Sequence, residues 1–177
     1  MIVLGLSVLA ISGWVYDPVR QWANILPYHR YAKAHPTDPE PTRLLAAQYG
    51  IRRDSDKALE IYMRFIRNNP DNFELHREVA LTLYGRYKMQ KAPRRPLETW
   101  EHGLELLKEV VRYARLYVEY HPSDVSGYVT LGEALVELGR SSEGNRYLQR
   151  AIELVREDVQ SKAEEEEEYI KSLMKSD

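Results

Sequence analysis

Three prolines punctuate this 177-residue sequence at spacings that leave few folds open to it. Pro36 and Pro70 stand 34 residues apart, each closing a polar turn, in Ala34-His35-Pro36 and Asn68-Asn69-Pro70; Tyr120-His121-Pro122 repeats the punctuation 52 residues later, which is one more 34-residue step with an 18-residue insertion. Proline cannot continue a helix and biases its predecessor away from the helical region, so each marks a helix end and the turn into the next helix. Between the prolines the apolar spacing is that of paired helices. After Pro122, Tyr128, Leu131, Gly132 and Leu135 share one helix face, Gly139-Arg140 makes the turn, and Gly144, Leu148, Ala151 and Ile152 share a second face. The same register after Pro36 runs through Thr42, Leu45, Ala46 and Tyr49, the turn at Arg53-Asp54, then Ala58, Tyr62 and Phe65. After Pro70 it runs through His76, Val79, Ala80 and Leu83, breaks off near 84–101, and resumes at Val110, Ala114 and Tyr117. The expected class is all-α, with helix pairs over 37–70, 71–122 and 123–156.

The arrangement resembles the tetratricopeptide repeat, in which an aromatic-x-x-Leu-Gly-x-x-Tyr helix is followed by a helix of small and aromatic residues and then by proline. The resemblance covers roughly residues 37–156. It departs at Thr42, where an aromatic is expected, at Phe65, where a small residue is expected, at Arg156 in place of proline, and at the insertion. It implies stacked helix pairs whose first helices line a concave groove for a protein partner. Carried over residue by residue, that groove presents Arg43, Ala47 and Gly50, then Arg77, Leu81 and Tyr84, then Val129, Glu133 and Val136. Arg43 and Arg77 are placed to hold an acidic peptide. The lysine–asparagine clamp by which some members grip a chaperone C-terminus is not matched, which disfavours a cochaperone role.

The first sixteen residues, MIVLGLSVLAISGWVY, are uncharged and end on the interface-type aromatics Trp14 and Tyr16 before Asp17-Pro18. As a helix they span about 24 Å, slightly short of a hydrocarbon core of roughly 30 Å, a shortfall that bilayer thinning or packing against other membrane helices accommodates. A cleaved secretory signal lacks its usual leading cation here, and a buried helix of a soluble fold is the other alternative. A retained single-pass anchor is expected, with lipid contact through this segment and, from Arg20, Arg30 and Lys33, the remainder on the cytoplasmic side. Residues 17–36 read as a connecting half-repeat, kinked or broken at Pro27.

The insertion carries Lys88, Lys91, Arg94 and Arg95 around Pro93 and Pro96. This stiff basic loop suits anionic lipid or an acidic protein surface as well as it suits plain solvation. The helix after it places Leu97, Trp100, Leu104, Leu107, Val111, Ala114 and Val118 three and four apart, a heptad-like stripe for core packing or, around Trp100, for a partner. The tail 157–177 holds eight acidic residues against three lysines, including the run Glu164–Glu168. It continues the last helix toward Met174 as a solvated cap or an acidic docking arm.

Composition narrows function further. The chain has no cysteine and a net charge of −2, so thiol chemistry is excluded and the basic face expected of a nucleic-acid binder is missing. Its five histidines show no helical pairing, and it has neither a phosphate-cradling glycine loop nor a nucleophile elbow. No catalytic residue, metal ligand, cofactor or small-molecule substrate is therefore expected. The expected function is a membrane-anchored protein–protein interaction scaffold, an accessory or assembly subunit of a larger membrane complex; the alternative is a tethered adaptor that binds extended peptides in its groove.

Overall fold

The computed structural model describes residues 18–90 and 99–174, with side chains described over 25–90 and 102–168. Those residues form seven helices: α1 Pro18–Ala34, α2 Pro39–Ile51, α3 Ser55–Asn68, α4 His76–Gln90, α5 Thr99–Tyr120, α6 Val125–Glu137 and α7 Ser141–Met174. Each packs on the next in chain order, and α4 also touches α6. The pairs α2–α3, α4–α5 and α6–α7 are the repeating units, with α1 leaning chiefly on α2.

The 34-residue step recurs in the backbone hydrogen bonds of the turns. Where a second helix gives way to the next unit, His35 N–H donates to Tyr31 O, Asn69 N–H to Phe65 O and His121 N–H to Tyr117 O. Three residues further on, Asp38, Asn72 and Asp124 donate back to residues 35, 69 and 121. The same three side chains then cap the next helix or its entry turn, accepting from the backbone N–H groups of Glu40, Glu74 and Gly127, which satisfies donors that a helix start leaves orphaned. Within a unit, the turn from first to second helix needs one left-handed residue. Arg53 (φ 60°) and Gly139 (φ 78°) occupy that equivalent position, and glycine is the residue that adopts it without steric cost.

The core runs continuously through the stack. Leu75, Val79, Leu107, Val110, Leu131 and Leu135 are fully buried. Helix α5 lies between α4 and α6, and Leu106, Tyr113 and Tyr117 are buried beside Leu107, Val111, Ala114 and Val118. The described part of the insertion lengthens α4 to 15 residues and α5 to 22, against 13 and 14 for α2 and α3. Helix α1 runs unbroken through Pro27. In the last unit the helices meet through glycines. A methyl group on Gly132 would lie 3.0 Å from Gly144 O, and one on Gly144 would lie 2.7 Å from Gly132 O and 3.0 Å from the Val136 nitrogen.

The expected membrane location is corrected here. Among the described residues no helix is long and apolar enough to cross a membrane; the two longest, α5 and α7, are amphipathic and carry charged residues along their length. Residues 1–16, with Trp14 and Tyr16, on which the anchor and its lipid contact rested, lie outside the described residues.

The glycine contacts generate a paired prediction. Gly144→Ala drives a methyl into backbone and should cost about 1–3 kcal/mol. Gly50→Ala meets nothing within 4 Å and should stabilise by roughly 0.5–1 kcal/mol through helix propensity. Urea unfolding of the two variants checks the contrast; equal effects contradict the close approach of α6 and α7.

Candidate functional site

The first helices of the three units, α2, α4 and α6, bring Arg43 close to Arg77 and Tyr84 close to Glu133, whereas Val129 lines a recess between α6 and α7 and Val136 abuts Gly144 of α7. At the centre of the Arg43 and Arg77 cluster is a buried carboxylate. Glu78, 9% exposed, lies on α4 between two arginines: its Oε1 accepts from Arg43 Nε at 3.1 Å and from Arg77 Nη2 at 3.2 Å. Arg43 also pairs with Glu40 in its own helix and approaches Glu74 at 3.9 Å. Arg77 reaches Asp124 at 3.5 Å and lies 5.9 Å over the Tyr117 ring. Asp124 is itself committed, accepting from Gly127 N–H at 2.9 Å and from the Tyr117 hydroxyl at 3.0 Å. Burial and Asp124 push the Tyr117 hydroxyl up to about 12, and burial and Glu78 do the same to Tyr62. Both phenols therefore remain neutral donors at any physiological pH.

A second cluster lies further along α4 and α6. Lys88 Nζ is 3.4 Å from Glu133 and 4.2 Å over the Tyr84 ring. Burial, together with the nearby Glu133 carboxylate, raises the pKa of Tyr84. Tyr87 donates to Glu137 at 2.9 Å.

Arg43 and Arg77, expected in the groove, are thus joined through one shared carboxylate, and Glu133 gathers Tyr84 with Lys88. Tyr84 itself is buried under this contact rather than presented to solvent. Ala47, Gly50, Leu81 and Val136 are exposed. Lys91, Arg94 and Arg95 lie outside the described residues, and of Trp100 only the backbone, in the first turn of α5, is described. Sequence reasoning missed Glu78, Glu74 and Asp124, the carboxylates that organise the face. The repeat spacing contained the signal, since Glu78 stands one repeat and one residue beyond Arg43. Among the described residues no cluster of histidine and carboxylate side chains suits a metal ion.

No family model matches the sequence, and no curated protein matches it. Solved structures do match in fold. TTC0263, a thermophilic TPR protein of Thermus thermophilus, is 20% identical with a TM-score of 0.58, the match covering 77% of this chain and 66% of that one. The MamA protein is 13% identical with a TM-score of 0.57, covering 79% and 67%. A human IFIT1 dimer with PPP-AAAA is 20% identical with a TM-score of 0.58, covering 76% of this chain and 29% of that one. The chain thus spans about two thirds of TTC0263 and MamA and a smaller share of IFIT1. The fold is tetratricopeptide-like, in agreement with the repeat pattern of the sequence.

The electrostatics of the face make two predictions. Glu78→Gln keeps the shape but removes the charge between two half-buried arginines, and should lower unfolding stability by about 1–3 kcal/mol; an unchanged urea midpoint contradicts the bridging role. His76 is buried against Phe73 and Tyr113, and burial lowers its pKa below 6.5; the pKa of His29 is lowered too, again by burial first. A depressed histidine binds its proton more readily in the unfolded chain, so stability is fully present above pH 6.5 and is lost as pH falls below it. Urea midpoints should fall between about pH 7.5 and about pH 5.5, with a shallower fall in His76→Gln; equal slopes in the two proteins contradict the assignment.

Proposed function

We propose that this chain is a non-catalytic scaffold that holds partner proteins on the concave face of α2, α4 and α6. The observation that carries this reading is the juxtaposition of open apolar positions with a carboxylate-rich network. Leu81 and Val136 are exposed there, and Ala47 and Gly50 leave the α2 wall without bulk. Beside them the carboxylates of Glu40, Glu74, Glu78, Asp124, Glu133 and Glu137 outnumber the cations of Arg43, Arg77 and Lys88. Arg43 and Arg77 already have carboxylate partners, so an acidic peptide competes with Glu78 and Asp124 for them. A basic segment with apolar side chains finds the surplus carboxylates instead. The preferred ligand is therefore an extended stretch of a partner protein carrying lysine or arginine among aliphatic residues.

The lengthened α4 and α5 support a second element of this reading, attachment as a fixed subunit of a larger protein assembly. Their extension exposes Met89 (70%) and Leu104 (45%), the first of which adjoins in sequence the basic stretch of Lys88, Lys91, Arg94 and Arg95. An apolar edge of this kind suits a lasting contact better than a transient one.

Fluorescence anisotropy on dodecapeptide probes tests the groove. Lysine- and leucine-containing peptides should bind, weaken several-fold between roughly 50 and 300 mM salt because the pairing charges are solvent-exposed, and be lost on Leu81→Arg. Preferential retention of glutamate-rich peptides, or binding untouched by Leu81→Arg, overturns the assignment.

A further inference from the structure

The α6–α7 unit presents an apolar face that no following helix covers among the described residues. Between α6 and α7 lies an open recess of about 550 Å³ lined by Val125, Val129, Leu148, Ile152 and Val155, with Arg156 among its lining residues. Ile152 and Val155 are each 47% exposed, and Val159, one step further along α7, is 61% exposed. A contiguous exposed apolar strip of this kind marks an interaction surface.

We propose that this face pairs with the same face of a second copy of the chain, α7 of each copy lying antiparallel in the recess of the other. A two-fold contact requires a surface complementary to itself, and the strip on α7 has that property. Leu148, Ile152, Val155 and Val159 are spaced four, three and four apart, the knob spacing of a two-helix seam, and this order reads the same in reverse. An axis between Glu153 and Leu154 sets Ile152 opposite Val155 of the second copy and Leu148 opposite Val159. Two α6–α7 pairs then close into a four-helix arrangement, with the recess of each filled by the other.

Charge selects the antiparallel sense. In this register Glu167 of one copy lies opposite Arg140, the residue before α7 of the other, which also pairs with Glu143, and Arg146 lies opposite Ser161, one turn from Glu164 and Glu165. Arg146 is exposed and makes no ion pair among the described residues. A parallel pairing would instead lay five glutamates against five. The contact explains why α7 continues past the body of its unit: pairing over residues 140–167 runs for about 42 Å of helix. It takes up Val129 of α6 but leaves the clusters around Glu78 and Glu133 free.

Because the chain has no cysteine, the register can be read directly. Full-length Ile152→Cys and Val155→Cys proteins are oxidised separately and as a mixture with oxidised glutathione, and light scattering gives the mass of the unmodified chain and of Val155→Glu. The expected result is a mass twice the 20.7 kDa of one chain, a return to one chain in Val155→Glu with unchanged helix content, and mixed cross-links forming several-fold faster than either self-cross-link. A single-chain mass at about 100 μM, a dimer indifferent to Val155→Glu, or self-cross-links as fast as the mixed one overturns the proposal.

Discussion

A helix pair of this size cannot enclose its own apolar side chains, so every unit in this chain depends on being stacked against a neighbour. The buried residues divide accordingly. Leu107 and Val110 on α5 serve the second unit, Leu131 and Leu135 on α6 serve the third, and all four are fully buried because the two helices lie against each other. The turns between units repeat one set of hydrogen bonds at residues 35, 69 and 121. The glycines at 132 and 144 then let the last pair approach to backbone contact.

Stacking also decides the electrostatics. First helices one repeat apart bring Arg43 of α2 and Arg77 of α4 to the same buried Glu78. Glu78 is tolerable in the interior because two guanidinium groups share it. The outcome is a concave face whose cations are internally committed and whose remaining carboxylates set its preference. On the proposed function, recognition on such a face would rely on surplus charge and exposed aliphatic side chains rather than on the arginines that first draw attention.

The repeat is legible in the sequence because proline spacing and small-residue placement express backbone geometry, which a linear pattern records. Asp38, Asp54 and Asp124 all cap helices where the turns predict helix starts. The insertion differs in form from what its prolines suggest. Pro93 and Pro96 point to a loop from Lys88 onward, but proline restricts only its own neighbourhood, so α4 continues to Gln90. Tyr84 takes a groove position by register, yet its ring is buried beneath Lys88, which also pairs with Glu133 of α6. Such polar pairing across units leaves no periodic trace. The sixteen uncharged residues at the start read as an anchor from composition alone, and no described helix supports a membrane span.

Amide hydrogen exchange followed by mass spectrometry tests the dependence on stacking most directly. If stability comes from neighbouring units, exchange should be slowest in α4, α5 and α6, which pack on one another as well as on their outer neighbours, intermediate in α2 and α3, and fastest in α1, which leans chiefly on α2. Exchange from α1 as slow as from α5, or release of α4 and α5 ahead of α2 and α3, would contradict it.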